Sequence, residues 1–377
     1  MKRLNYVDGL KGWCAASVCL LHFLLMFAID GYIGWKCLPE ATLNAFAYYF
    51  DRFPYSVITN NSFPLYIFFA LTSFIVSYTF LKNKNEDKLK QKIVMRYFRF
   101  LPLVLIACFA AYLLLACKLC PLEEFYNITG NTWGLARLEG SYTFLDMLKI
   151  GCFTSFFEGT QLVSPFWCLH YIFLGSILSF IMMLLYTKID NKLFLFGSAI
   201  LIFYFVDQNY LAFIIGLIAG VIADKEYTWS KAKGALLVAT GCILGLFPPV
   251  LLPRFFNVAT LYALGAGLVI VGIHCSFSGN RLLCNKFAEF LGKESLAWIV
   301  WQFLIMQSLN VFLYNSFYNT GMSTPVNIAI NFVINAALSL LLTWVSAKTI
   351  TPLTNLTCNK VSALLQKHTR KKAKHKE

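Results

Sequence analysis

Long apolar runs separated by short polar segments dominate the chain. A helix needs about 20 apolar residues to cross the hydrocarbon core of a bilayer, with roughly 17–25 as the usual range. The pattern therefore predicts an all-α, polytopic membrane helix bundle with about ten transmembrane helices. Only the sequence VDQN separates the fifth and sixth runs, which are short and predict a hairpin that barely crosses the bilayer. The predicted helices cover residues 10–30, 62–82, 100–118, 164–187, 192–206, 209–223, 233–252, 258–276, 294–316 and 326–349.

Positive charges are distributed unevenly between the two sides of this topology. An even number of spans places both termini on one side, and this parity survives if the fifth and sixth runs do not cross. Cytoplasmic flanks of membrane proteins are rich in Lys and Arg. We therefore expect both termini to be cytoplasmic. Of the 32 Lys and Arg residues, the opposite side holds only Lys36, Arg52, Lys118, Arg137, Lys149 and Arg254.

Composition agrees with a membrane protein. The chain is 58% hydrophobic and 13% charged, whereas soluble domains carry roughly 45–50% apolar and about 25% charged residues. The net charge of +14 comes from short inter-run segments and from the tail HTRKKAKHKE. Such a tail is expected to lie against anionic membrane lipids, so nucleic-acid binding is not expected. We predict a transmembrane domain over 1–352 and a basic cytoplasmic tail over 353–377.

The stretch KGWCAASVCLLH in the first run carries candidate chemistry. At helical spacing Asp8, Lys11 and His22 share one face, with His22 about 16 Å deeper than Lys11. The small residues Ala15 and Cys19 continue that stripe and leave room for a narrow ligand or for close helix packing. An ionisable group inside a span indicates function, and histidine is the usual general base near neutral pH. The alternatives are a structural histidine bonded to a neighbour and an interfacial Asp8–Lys11 anchor.

The same region resembles the acyltransferase-3 family of integral membrane O-acyltransferases. The family opens on an Asp-Gly-Leu-Arg/Lys-Gly element with ten residues between its basic residue and a histidine, and this chain reads DGLKG followed by His22. Three later stretches also resemble the family and extend the similarity to about residue 303. They are NNSFPLYIFFALTSFIVS (60–77), MRYFRFLPLVL (95–105) and FLGKESLAWIVWQF (290–303).

The resemblance implies an acyl-CoA donor, with acetyl-CoA expected, and no metal. It implies that His22, Asp8 and Lys11 are catalytic and that Arg96 and Arg99 bind the coenzyme A phosphates from the cytosol. A guanidinium matches phosphate oxygens bidentately, which suits that role. The alternative for the arginine pair is a positive flank on lipid headgroups. CxxC at 117–120 lacks the second pair that a zinc site needs.

Two polar positions depart from the family pattern. In WCLHYIFLGS, Ile172 stands where many relatives have glutamate, and Gln302 stands at the late position where many have histidine. His170 is a candidate replacement for the glutamate, with a satisfied interfacial histidine as the alternative. The candidate substrate-binding residues are Trp167, His170 and Gln302.

The expected function is an O-acetyltransferase of the cell envelope, in a multi-pass protein of the bacterial plasma membrane. It would modify a hydroxyl group of an extracytoplasmic polysaccharide, other sugar or glycolipid. Two alternatives stay open, because polar groups within a membrane equally mark transport routes. One is a glycan or lipid transporter, and the other is a catalytically weakened scaffold.

Overall fold

The computed structural model describes residues 4–27, 62–131, 142–159, 162–163, 165–225, 227, 229–247 and 257–374. Within these ranges the secondary structure is helical and contains no strand. The first part of the chain forms α1 (Asn5–Phe27), α2 (Ser62–Asn83), α3 (Glu86–Ala116), α4 (Leu122–Thr129), α5 (Phe144–Lys149), α6 (Ser155–Phe157) and α7 (Phe166–Lys188). The second part forms α8 (Lys192–Val206), α9 (Leu211–Asp224), α10 (Lys231–Gly245), α11 (Val258–Ser276), α12 (Lys286–Lys293), α13 (Ser295–Ile305), α14 (Val311–Asn319) and α15 (Thr324–Lys374).

Seven helices in the described ranges are long and apolar enough to cross a membrane. They are α1, α2, α3, α7, α11, the continuous α13–α14 segment and the first 42 residues of α15. The fifth, sixth and seventh predicted spans form α8, α9 and α10, which have 15, 14 and 15 residues. Helices of that length reach about 21–23 Å, less than the ~30 Å hydrocarbon core. The helical membrane bundle is confirmed, whereas a count of ten crossings stays a prediction.

Asparagine side chains fix where several helices begin. Asn85 Oδ1 accepts a hydrogen bond from the Lys88 backbone N–H at 2.9 Å at the start of α3. Asn191, Asn257 and Asn285 cap α8, α11 and α12 in the same manner. A capping side chain satisfies a backbone donor that has no partner within the helix. These polar residues therefore set the helix boundaries between apolar runs.

Polar contacts join helix ends on one side of the bundle. The Tyr6 hydroxyl at the start of α1 lies 2.6 Å from His274 Nδ1 near the end of α11. Lys82 at the end of α2 forms an ion pair with Asp224 at the end of α9, at 3.4 Å. The Thr351 hydroxyl donates to Glu294, the residue before α13, at 3.0 Å. This end corresponds to the predicted cytoplasmic side, and the assignment of that side stays a prediction.

Glycines allow α1 and α12 to pack with their backbones in close contact. A Cβ atom added to Gly292 would lie 1.7 Å from the Asp8 carbonyl oxygen, and one added to Gly9 would lie 1.8 Å from the Leu283 carbonyl oxygen. One added to Gly12 would lie 2.3 Å from the Ala288 carbonyl oxygen. The glycines of DGLKG and of LGK therefore bring these two segments together, which the sequence motifs alone did not predict.

Hydrogen bonds of buried polar side chains join α15 to the α13–α14 segment. Asn335 Nδ2 donates to Asn310 Oδ1 at 2.8 Å and to the Gln302 carbonyl oxygen at 3.2 Å. Trp298 Nε1 donates to the Ser339 hydroxyl at 3.1 Å. Interhelical hydrogen bonds of this kind stabilise helix association in a membrane. Helix α15 continues without a break past the predicted domain boundary at 352. The division into a domain and a tail stays a prediction.

Candidate active site

A cavity of about 660 Å³ lies within the bundle and contains most of the predicted site. Its lining includes predicted residues from α1, α3 and α7, which are distant in sequence. His170 and Gln302 are absent from the lining. The predicted residues that line the cavity are Asp8, Lys11, His22, Arg96, Arg99 and Trp167.

The predicted face of α1 is the face that lines the cavity. Asp8, Lys11 and His22 are joined there by Val18 and Leu25 at helical spacing. Of the two alternatives for the small residues, the structure shows close helix packing and not room for a ligand. Ala15 and Cys19 do not line the cavity but belong to the buried core, because their side of the helix packs against neighbouring helices.

His22 lines the cavity about 16 Å along α1 from Lys11. Its ring is half-buried and meets the Phe303 ring edge-on, with centroids 6.3 Å apart. Ile172 and Thr72 line the same cavity. Ile172, at the position where the resemblance implies a glutamate, therefore presents an apolar side chain to this cavity. Among the described lining residues the carboxylates are Asp8 and Asp207.

Positive charge is concentrated at the end of the cavity near the start of α13. Arg96 Nε donates to the Ser176 hydroxyl at 2.9 Å, and its guanidinium lies 5.3 Å from the Phe100 ring centroid. Arg99 is exposed one helical turn further on. Lys293 also lines this end and pairs with Glu289 on α12 at 3.3 Å. Four cations thus line this end, where Asp8 is the acidic residue among the described lining residues, an arrangement that suits a polyanionic ligand. The cations are Lys11, Arg96, Arg99 and Lys293.

The opposite end of the cavity is polar and aromatic. The Tyr66 hydroxyl donates to Asn209 Oδ1 at 2.6 Å, and Asn209 Nδ2 donates to Asp207 Oδ1 at 2.9 Å. The Thr260 hydroxyl donates to Gln208 Oε1 at 3.2 Å. The sequence VDQN predicted only a connection between two helices and did not predict this cluster. The available signal was three consecutive polar side chains between two apolar runs.

His170 and Gln302 contact backbone groups instead of the cavity. His170 Nδ1 lies 3.1 Å from the Phe156 carbonyl oxygen, which ties α7 to α6. Gln302 is 1% exposed, and its Nε2 donates to the Cys19 carbonyl oxygen of α1 at 3.3 Å. Each side chain therefore faces a neighbouring helix, and direct contact with a substrate stays a prediction for both.

No group of three or more His, Cys, Asp or Glu side chains suited to a metal ion is found in the described part of the chain.

Comparison with known proteins identifies the family. The family model described as an acyltransferase domain, that of the acyltransferase-3 family, matches residues 4–346. No curated protein and no solved structure matches the chain significantly. The match covers nearly all of the helical bundle and the whole cavity lining. Together with the seven apolar helices, it shows that the chain belongs to the acyltransferase-3 family of multi-pass membrane acyltransferases.

Proposed function

We propose that the protein transfers an acetyl group from cytosolic acetyl-CoA to a hydroxyl group of an extracytoplasmic glycan or glycolipid. The observation that carries this proposal is the single cavity that joins a cationic end, His22 and a polar, aromatic end. These three parts suit, in order, an anionic donor, a general base and a hydroxylic acceptor. The bacterial plasma membrane is the proposed location.

The cationic end would hold the coenzyme A phosphates. Arg96 and Arg99 offer planar guanidinium groups, which bind phosphate oxygens through paired hydrogen bonds. The hydrogen bond from Arg96 Nε to Ser176 and the adjacent Phe100 ring limit the orientations of that guanidinium. From Lys11 the pantetheine arm would follow α1 past Val18 toward His22, a rise of about 16 Å.

His22 would act as the general base. The acceptor oxygen would attack the thioester carbonyl carbon while the imidazole takes the hydroxyl proton. The new bond joins oxygen to the acyl carbon, the carbon–sulfur bond breaks, and the proton passes from His22 to the departing coenzyme A sulfur. A positioned general base contributes typically 10²–10⁴-fold to the rate. Asp8 and Lys11 would act at the donor end of the cavity, on the same face of α1 and about 16 Å from His22 in the case of Lys11.

Transport is the second candidate function. It is favoured by Ile172, because an apolar side chain replaces a family carboxylate on the cavity wall. A glycan or lipid would then pass through the cavity without a covalent change. Transport would leave coenzyme A thioesters intact, whereas acyl transfer consumes them.

Purified protein should be incubated with acetyl-labelled coenzyme A thioester and a mixture of cell-envelope glycans, and the label on the glycan should be measured. His22→Ala and His22→Gln are expected to lower transfer at least about 100-fold. His274→Gln is the matched control, because His274 bonds Tyr6 and does not line the cavity. Transfer by His22→Ala at the level of the unmodified protein would refute the catalytic role of His22.

A further inference from the structure

We propose that the end of the cavity opposite Arg96 and Arg99 is the acceptor site, and that it selects an uncharged sugar over an anionic one. This inference rests on the proposed function and adds to it the residues and the charge of the acceptor. The far-mouth cluster is defined here as Tyr66, Trp167, Asp207, Asn209 and Tyr262, all of which line the cavity.

Hydrogen bonds hold the polar members of the far-mouth cluster in fixed orientations. Asp207 caps the short 3₁₀ turn Gln208–Tyr210 before α9, and its Oδ1 accepts from the Asn209 backbone N–H at 3.0 Å and from Asn209 Nδ2 at 2.9 Å. Asn209 Oδ1 in turn accepts from the Tyr66 hydroxyl at 2.6 Å. A carboxylate, an amide and a phenol therefore reach the cavity already ordered, so binding loses little side-chain entropy.

The donors and acceptors of this network match those of a sugar. A carboxylate only accepts hydrogen bonds, whereas an amide and a phenol both donate and accept. A sugar hydroxyl also does both, so neighbouring hydroxyls can donate to Asp207 and accept from Asn209. Sites built to bind a hydroxyl group discriminate strongly against analogues that lack it. The cluster is thus suited to a ligand with several adjacent hydroxyl groups.

Aromatic rings provide the second element of sugar recognition. The Tyr66 and Tyr262 rings meet edge to face, with centroids 5.5 Å apart. The Trp167 indole lines the cavity and is 39% exposed. Aromatic faces bury the apolar C–H surface of a ligand while its polar edge stays hydrogen-bonded. A sugar ring combines these two kinds of surface, whereas a lipid chain or a simple ion does not.

Charge selects among sugars. Among the described lining residues, Asp207 is the charged one beside the starts of α9 and α11, whereas the four lining cations belong to α1, α3 and the last position of α12. Like charges disfavour close approach, most strongly where water is excluded. A uronic acid or a sugar phosphate would bring its negative charge next to Asp207. An uncharged sugar, free or carried on a lipid, avoids that repulsion.

The test measures binding of soluble sugars to the full-length protein in detergent by isothermal titration calorimetry. The probes are methyl glucoside, methyl galactoside, methyl mannoside and methyl N-acetylglucosaminide, with methyl glucuronide as the anionic counterpart of the first. At least one neutral glycoside should bind more tightly than methyl glucuronide. Asp207→Asn should weaken that binding about tenfold, since the stronger, charge-assisted hydrogen bond is lost. Asn still caps the 3₁₀ turn well, so the fold should be retained.

Two controls separate this inference from the proposed function. Asp190→Asn removes an exposed carboxylate outside the cavity lining and should bind sugar normally. Coenzyme A affinity, measured on the same samples, should be unchanged in Asp207→Asn. Equal sugar affinity in Asp207→Asn and the unmodified protein, tighter binding of the glucuronide, or no sugar binding by protein that binds coenzyme A would each overturn the inference. If the unmodified protein neither bound coenzyme A nor transferred an acyl group, that result would instead contradict the proposed function.

Discussion

Gly292→Ala is expected to disrupt the junction of α1 and α12 that forms the cationic end of the cavity. The added Cβ would lie 1.7 Å from the Asp8 carbonyl oxygen. A carbon–oxygen contact needs about 3.3 Å, so the two backbones would have to separate by about 1.6 Å. The contacted atom is a backbone oxygen and cannot avoid the added carbon by a change of side-chain rotamer, so one of the two helices has to shift. Overpacking of this kind costs about 1–3 kcal/mol of the free energy of unfolding, and occasionally more.

The displacement should affect activity more than stability. Asp8 and Lys11 lie on α1, whereas Lys293 follows directly on Gly292, so separation of the helices moves lining residues relative to one another. A misplacement of ~1 Å can lower a reaction rate about 100-fold. We therefore expect a lower melting temperature in detergent and a loss of acetyl transfer near two orders of magnitude.

Gly197→Ala is the matched control for this prediction. Gly197 lies within α8, and no heavy atom lies within 4 Å of a Cβ added there. Alanine is favoured over glycine in a helix by about 0.8–1 kcal/mol, so this variant should be at least as stable as the unmodified protein. Equal melting temperatures and equal transfer rates in Gly292→Ala and Gly197→Ala would refute the close approach of α1 and α12.

Two further predictions concern the donor site and a helix cap. The double variant Arg96→Ala, Arg99→Ala should raise the dissociation constant of coenzyme A at least about tenfold, since hydrogen bonds to charged groups contribute ~1.5–3 kcal/mol each. The control is Lys90→Ala, an exposed change on the same helix. Unchanged coenzyme A affinity in the double variant would contradict donor binding by these arginines. At the start of α5, hydrogen bonds from the Thr143 hydroxyl at 2.6 Å and its backbone N–H at 2.9 Å hold the pKa of the Asp146 carboxyl below its usual value. The stability that Asp146 contributes should be present above the ordinary Asp pKa of about 3.9 and be lost as the pH falls through the lowered pKa. The difference in melting temperature between the unmodified protein and Asp146→Ala should therefore shrink at acidic pH. A difference that grows at acidic pH would contradict the capping interaction.

Much of the helical framework could be predicted from the apolar runs. Run length predicts a helix because a chain in lipid must satisfy its own backbone hydrogen bonds. The pattern was less informative where a run was interrupted, and α10 ends at Gly245, before the predicted limit of 252. Residues 248–256 lie outside the described part of the chain.

The candidate site was predictable where its residues share one helix. Helical spacing places Asp8, Lys11 and His22 on one face, and all three line the cavity. Which flanking residues also line it depends on neighbouring helices, so Val18 rather than Ala15 was found there. A local pattern carries no information about that packing.

The far-mouth cluster and the α1–α12 junction depend on tertiary structure. Tyr66 and Asn209 are 143 positions apart, and their hydrogen bond exists only because α2 and the 3₁₀ turn before α9 meet. The polar sequence VDQN indicated a turn but no partner. Gly292 likewise meets Asp8 only after α12 packs on α1.

The central claim is that His22, acting as general base, promotes acetyl transfer from a donor to an acceptor on opposite sides of a membrane. It is tested most directly in proteoliposomes that present the two ends of the cavity to separate compartments. Acetyl-CoA would be supplied at the cationic end and an uncharged glycan at the other. The account predicts acetylated glycan with the unmodified protein and at least about 100-fold less with His22→Gln. Equal acetylation by His22→Gln, or acetylation only when donor and glycan share a compartment, would contradict it.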